Sequence, residues 1–269
     1  MDEATLSCAR HRRTAIRDRR RGAQSPRMAR NEVRRHRHAE CIPGPSGAGA
    51  VVAALCPARR RFYARVLPVY ARGRLLDLGC GAQPLYGAYR NRVSYAVAAD
   101  WPSSLHATSN IDAFCDLTQP LPFRDGSFDT VLFSDVLEHL PDPALALREI
   151  ARILAPSGVL LMNTPFMYWI HEAPHDYLRH SRYSLTRLAE ESRLDVVEVA
   201  GLGGAGDVLV DIVSKCLLGV PVLGSICVRL LQGIAVSRRN GPIATALRKR
   251  TETHFPLGHG MVARKRAAA

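Results

Sequence analysis

The run LLDLGCGAQP, residues 75–84, constrains this chain more than any other stretch. Leu75, Leu76, Asp77 and Leu78 read as a short buried strand. Gly79 and Gly81 then make a tight turn, where only glycine accepts the dihedrals or the close approach of a ligand. A helix should follow. Strand, glycine turn and helix N-terminus together form a place for a nucleotide-like ligand at the carboxyl edge of a parallel sheet. The dinucleotide pattern G-x-G-x-x-G breaks at its third glycine, where Pro84 stands, which weighs against NAD or FAD. A glycine pair alone also serves an ordinary strand–helix turn, so the rest of the chain has to decide.

A second carboxylate supports the ligand reading. SYAVAAD, residues 94–100, reads as the second strand and ends in Asp100, 23 residues past Asp77. A ribose-binding acid is expected about 20 residues beyond such a turn, because two carboxylate oxygens can accept from both ribose hydroxyls. The competing role for Asp100 is to cap the loop. Further on, Ala113–Cys115 form a third short strand ending at Asp116. DTVLFSD, residues 129–135, is the fourth strand, Val136–Leu140 a brief helical turn, and ALALREIARIL the next helix. That helix presents Leu145, Ile150, Ile153 and Leu154 as an apolar stripe, with Arg148, Glu149 and Arg152 outward. Residues 158–164 form a fifth strand, 184–194 a helix with Ser184 as N-cap, and 195–200 a sixth strand. Ahead of all this, residues 51–71 read as a helix with Val52, Leu55, Phe62, Val66 and Val69 roughly on one face.

Three motifs in order, LLDLGCG, then D-L-x-x-P-L-P-F-x-D-x-S-F-D-x-V (116–131) with V-L-E-H-L (136–140), then SGVLLMNTPF (157–166), resemble the class I S-adenosylmethionine (SAM) dependent methyltransferases, over roughly residues 70–200. The resemblance implies an α/β, Rossmann-like doubly wound sheet of seven strands, mostly parallel with the last antiparallel. The last strand would be HGMVARK, 259–265, pairing with 195–200, after a helical insert. It implies SAM as cofactor and methyl transfer to an oxygen, less readily a nitrogen or carbon, of a small-molecule, saccharide or lipid-linked acceptor. It places Asp77, Gly79, Cys80 and Gly81 on the amino-acid and ribose side of SAM, with Asp100 on the ribose hydroxyls and Trp101 beside the adenine. Asp116 and Leu117 meet the adenine, and Ser134 the methionine moiety. Gln83 departs from the pattern at a position where a small residue is usual.

The acceptor side is read from the residues themselves. The loop after the fifth strand carries His171, Glu172, His175, Asp176, Arg179 and His180, and such density at a strand's carboxyl end is where an α/β enzyme works. His171 or His175 could act as general base with Asp176 orienting it, and His139 in VLEHL is a second candidate. The competing role for the loop is a scaffold that shapes the pocket. His171–His175 also spells H-E-x-x-H, the zinc-protease pattern, which needs both histidines on one helix face. Pro174 inside it and the preceding strand exclude that helix, so no metal is expected.

Charge and composition set the remaining expectations. The 269-residue chain has room for one large α/β domain, 51–269, plus a tail. The net charge of +13 is concentrated in residues 1–50, with 12 arginines against 5 acids, ending in the Pro/Gly-rich CIPGPSGAGA. This reads as a disordered basic tail and linker. The alternative function is a non-catalytic module of the same fold whose tail contacts nucleic acid, but no aromatics interleave the basic cluster, so no specific nucleic acid is expected. Seven scattered cysteines without C-x-x-C, and no secretory signal, point to the reducing cytoplasm. Residues 206–250 begin unusually apolar, yet the uncharged piece between Lys215 and Arg229 is 13 residues with Pro221 inside. A spanning helix needs about 20. The segment reads as helices covering the pocket, with Arg238, Arg239, Arg248, Lys249 and Arg250 available for peripheral contact with the inner face of a membrane.

Overall fold

The structure, a computed structural model, describes residues 55–102, 110–218, 220, 223–238 and 240–267. The expectations for the tail at 1–50 and for the first residues of the opening helix lie outside the described residues. The chain runs α1 (Leu55–Tyr70), β1 (Arg74–Leu78), α2 (Tyr86–Tyr89), β2 (Tyr95–Asp100), β3 (Ala113–Phe114), β4 (Phe128–Ser134), a 3-10 turn (Leu137–His139), α3 (Pro143–Ile153) and β5 (Leu154–Pro165). It continues through α4 (Arg182–Glu191), β6 (Leu194–Leu202), α5 (Ala205–Leu218), α6 (Leu223–Arg238), α7 (Pro242–Thr251) and β7 (Gly258–Lys265).

The seven strands form one sheet in the order β3-β2-β1-β4-β5-β7-β6. β7 is inserted antiparallel between β5 and β6, with Met162 opposite Met261, and the other strands run parallel. The order reverses between β1 and β4. Chains leaving those two strands diverge to opposite sides, and the crevice between their carboxyl ends is where such sheets take ligands. A buried centre explains why β1 and β4 read as nearly continuous apolar runs: Leu75, Leu76, Leu78, Val131, Leu132 and Phe133 are all fully buried.

Two apolar layers cover the sheet. On one face α3 and α4 bring Leu147, Ile150, Ile153 and Leu185 onto Leu76, Val131 and Met162. On the other α1 brings Phe62, Tyr63, Val66 and Leu67 onto Leu75, Leu132, Leu161 and Val262. Two expected stripes are thereby corrected. Val69 is 69% exposed, because the buried face of α1 runs through Ala58, Phe62, Tyr63, Val66 and Leu67. In α3 the buried set is Ala146, Leu147, Ile150, Ala151 and Ile153, and Leu154 already belongs to β5. Glu149 and Arg152 do not face outward freely. Glu149 accepts the Leu121 N–H at 2.7 Å, and Arg152 donates to the carbonyls of Leu121 and Phe123 at 2.9 and 2.8 Å. The pair clamps the LPFRD loop onto α3. The N-cap of α4 is Ser181, whose side chain accepts from Ser184 N–H; Ser184 lies inside the helix.

Gly260 on β7 sits under α1. A Cβ there would come within 2.7–2.8 Å of three Phe62 ring atoms, and that ring is buried. Gly260→Ala is therefore expected to destabilise the fold by about 1–3 kcal/mol, the usual cost of overpacking, and a thermal melt against the parent checks it. An unchanged melting temperature would mean that α1 is not held on β7 as described.

Between β6 and β7 the chain makes the three helices α5, α6 and α7. Leu209, Ile212, Ile226, Leu230 and Ile234 are all more than half exposed there. No helix among the described residues is long and apolar enough to cross a membrane.

Candidate active site

The glycine turn after β1 is pinned to β2. Gly79 N–H and Cys80 N–H both donate to the Ala99 carbonyl, at 2.8 and 3.1 Å. Gly79 has φ +70°, and a Cβ would strike Val136, two residues beyond β4, at 2.4 Å. Glycine is required here because the turn crosses the mouth of the crevice against the opposite chain. Asp100 ends β2 with one carboxylate oxygen accepting Gly81 N–H at 2.7 Å and the other accepting Trp101 N–H at 2.7 Å. It ties the turn to β2, the capping role weighed from sequence. Asp77 is buried and accepts the Tyr89 hydroxyl at 2.9 Å. Burial pushes its carboxyl up to about 7, the Asp100 charge adds to this, and the Tyr89 hydrogen bond opposes it. Burial, with Asp77 and Asp100 nearby, likewise pushes the Cys80 thiol up to about 12. Gln83 takes a positive φ of 55° and donates to the Asn110 carbonyl at 2.8 Å, so the departure at that position is absorbed by the turn. Asp116 accepts Thr118 N–H at 2.8 Å and its hydroxyl at 2.7 Å, which shapes the turn carrying Leu117.

At the end of β4, Ser134 is the residue expected from sequence, and it is joined there by four others. Ser134 Oγ and the Tyr63 hydroxyl both donate to Asn163 Oδ1, at 2.7 and 2.9 Å. Asn163 donates to Asp135, which also takes Arg59 from α1. Asp135 carries φ +53°, a conformation that Asp tolerates better than most residues and that turns its carboxylate back over the sheet edge. Arg59 thus faces the sheet edge and not solvent. Nothing local in the sequence links residues 59, 63, 135 and 163. Only the packing of α1 over β4 and β5 does.

The loop after β5 and the turn after β4 bring three of the four expected catalytic side chains together. The rings of His139 and His171 are 4.8 Å apart. His139 Nδ1 lies 2.7 Å from the His175 carbonyl oxygen. Asp176 Oδ2 accepts the His171 backbone N–H at 2.8 Å and lies 3.2 Å from its Nδ1. Arg179 forks onto Asp176, with Nη2 to Oδ2 at 2.7 Å, and also reaches the Trp169 carbonyl at 2.9 Å. Burial works against ionisation of Asp176, but the Arg179 hydrogen bonds and the His171 N–H hold it down at about 2. The His171 imidazole is lowered by burial and by neighbouring His139, against the pull of Asp176. His175 stands apart. It is exposed, its ring is edge-on to Trp101 at 5.4 Å, and its Nδ1 lies 3.1 Å from the Tyr177 hydroxyl. Glu138, which sequence reasoning passed over inside VLEHL, is fully buried between the two histidines. Burial and then the Asp135 charge raise its carboxyl well above the usual range, against its hydrogen bond from Thr164. Segment 171–175 is loop, so the zinc-protease helix does not form.

Residues 76–162 match the family model described as "Methyltransferase domain", which spans β1 to β5 and every cofactor-side residue named above. Residues 76–162 carry a class I SAM-dependent methyltransferase domain. Two curated relatives are named ubiquinone biosynthesis O-methyltransferase. One, from Xanthomonas euvesicatoria pv. vesicatoria, is 32% identical over 124 residues, which is 41% of this chain and 50% of the relative. The other, from Coxiella burnetii, is 26% identical over 59% of this chain and 78% of the relative. The match thus spans only half the length of the Xanthomonas relative. A chain in the solved complex between the Haloferax volcanii Trm112 methyltransferase activator and a methyltransferase superposes with a TM-score of 0.51 at 21% identity, over 79% of this chain and 90% of that one. At that identity it speaks for the fold alone.

The cofactor edge of the methyltransferase fits SAM in chemistry as well as in position. SAM carries a sulfonium and an ammonium, and the edge presents Asp77 with the Asp100 charge close enough to raise the cost of ionising Asp77. A cation between them relieves that cost. Asp77, Asp100, Asp116 and Ser134 all stand at the carboxyl ends of β1 to β4, on one side of the sheet.

Proposed function

We propose that this methyltransferase moves a methyl group from SAM to an oxygen of a small, apolar or lipid-linked acceptor. One observation carries the reading: His139 and His171 converge at the carboxyl edge beside the cofactor residues, each with its Nδ1 against an oxygen. An acceptor hydroxyl must lose its proton to become a good nucleophile, and imidazole lone pairs held by such oxygens are suited to that task. When bound, SAM supplies the electrophilic methyl on sulfur, so the chain has to orient the acceptor oxygen and manage its proton. The O-methyltransferase names of the two relatives support an oxygen acceptor. The test is incubation of the chain with label-bearing SAM and a cell extract, followed by product identification. A labelled methyl ether is expected, and label on nitrogen or carbon would overturn the reading.

The apolar character of the acceptor rests on the insert. Lys215 of α5 lies 3.4 Å from the Tyr168 ring centroid and 4.7 Å from that of Trp169, so α5 covers the loop that carries His171. The outer faces of α5 and α6 expose Leu209, Ile212, Ile226, Leu230 and Ile234, more apolar side chain than a solvent-facing cover needs. Of the five basic residues expected to meet a membrane, Arg239 lies outside the described residues and Arg248 is engaged by Asp207 at 3.3 Å, while Arg238, Lys249 and Arg250 are exposed and open to lipid phosphates. Flotation with anionic liposomes is expected at low salt and is expected to be lost when those three become Gln. Absence of flotation, with full activity on a water-soluble acceptor, would overturn the membrane contact.

A further inference from the structure

We propose that Glu138, His139 and His171 form a divalent transition-metal site that binds and activates the acceptor hydroxyl. The proposal deepens the methyl-transfer reading and rests on it for the role of the metal, though not for its binding.

Three electron-pair donors meet at one point. Glu138 Oε1 lies 3.7 Å from His139 Nε2 and 3.8 Å from His171 Nε2, and the three atoms all fall within 4.8 Å of one another. These separations are too long for hydrogen bonds, so no proton is shared between them. Glu138 is 0% exposed, and its Oε1 has no hydrogen-bond partner, while Oε2 takes the Thr164 hydroxyl at 3.3 Å. An orphaned carboxylate oxygen at full burial is costly unless something positive completes it.

One histidine is oriented as a ligand by a hydrogen bond and the other stands beside a carboxylate. His139 Nδ1 is occupied by the His175 carbonyl at 2.7 Å, which places its proton on Nδ1 and its lone pair on Nε2. His171 Nδ1 lies 3.2 Å from Asp176 Oδ2 without a hydrogen bond to it, so the carboxylate stands beside the ring while the ring's own tautomer is left open. Metal-bound imidazoles commonly have their second nitrogen against a carbonyl or carboxylate in this way. Arg179 in turn fixes Asp176. Donors around a cation at roughly 2.0–2.2 Å sit about 3–3.5 Å apart, so the two carboxylate–imidazole separations close with a shift of a few tenths of an ångström, and the widest separation in the group, up to 4.8 Å, closes by about an ångström through rotation of the imidazoles. The expectation of no metal rested on H-E-x-x-H, and that argument holds for His175, which faces Trp101. The site uses His139 from the other loop instead.

Two imidazoles and one carboxylate favour Zn²⁺ or Mn²⁺ over Mg²⁺, and three protein ligands leave positions open for the acceptor. With both imidazole lone pairs on the metal, the histidines would serve through it and not as bases themselves: a hydroxyl bound there would release its proton to water and present its oxygen, held in place, for methylation.

The full chain, stripped with a chelator, is titrated separately with Zn²⁺, Mn²⁺ and Mg²⁺ by calorimetry, with metal content measured after desalting. One Zn²⁺ or Mn²⁺ per chain is expected. Glu138→Gln and His171→Asn should each weaken it at least about tenfold, with SAM affinity unchanged on the same samples. Because Glu138 is buried, His139→Asn and the visible absorption of bound Co²⁺ provide a readout that does not depend on that one variant. No uptake of Zn²⁺ or Mn²⁺, or uptake equal in parent and histidine variants, would overturn the site. Loss of SAM binding by the parent would instead overturn the methyltransferase reading.

Discussion

Asp100→Ala is expected to weaken SAM binding by more than tenfold while the fold survives. A carboxylate that accepts hydrogen bonds from a ligand contributes roughly 1.5–3 kcal/mol for each, and one such bond is already a factor of ten. The structure adds a second reason. The same carboxylate holds Gly81 N–H and Trp101 N–H, so its removal frees the glycine turn that the cofactor must meet. Asp100 is at the exposed end of β2, and the strand keeps its pairing with β1 without it. Calorimetric titration of parent and variant with SAM, beside circular dichroism, checks both halves. Equal affinities would remove Asp100 from the cofactor site.

Asp77→Asn is expected to stabilise the cofactor-free protein, increasingly so as pH rises from about 4 to about 7. Asp77 titrates near its ordinary value when unfolded and is pushed up to about 7 when folded, chiefly by burial. The unfolded chain therefore gives up its proton first. Folding stability falls through that window and reaches its full penalty above it. About three pH units correspond to a penalty on the order of 4 kcal/mol. Asparagine keeps an oxygen for the Tyr89 hydroxyl and carries no charge. Urea melts at pH 4.5 and pH 8 measure the difference, and a stabilisation independent of pH would refute the assignment. Saturating SAM should shrink the gain at pH 8, because a cationic ligand already relieves the buried carboxylate.

The sheet was legible because its signals are local. The apolar runs at 75–78 and 129–134 need burial on both faces, and the glycines at 79 and 81 mark the turn between β1 and α2. Asp77, Asp100 and Ser134 could be placed because each ends a strand. Helix faces were less legible. Val69 fits the stripe by spacing, yet α1 rotates to seat Tyr63 and Leu67. Ser181 and Ser184 are both good caps, and only the loop's path chooses between them. The acceptor side was legible as a density of titratable residues but not as an arrangement. His175 and Asp176 are adjacent in sequence, yet Asp176 turns to His171 and His175 to Trp101. Glu138 was hidden because a carboxylate beside a histidine in a short turn ordinarily faces water.

The cation of Lys215, seated on the faces of Tyr168 and Trp169 and paired with buried Asp211, joins the insert to the loop that bears His171. A desolvated contact of this kind contributes about 2 kcal/mol or more. Cover and loop are thus inherited together. Grafting another insert between β6 and β7 to change acceptor preference would strip two aromatic rings of their charge and loosen the histidine loop. Exchanges that redirect acceptor choice without loss of turnover should therefore carry residues 167–180 along with 205–251, or keep lysine at 215.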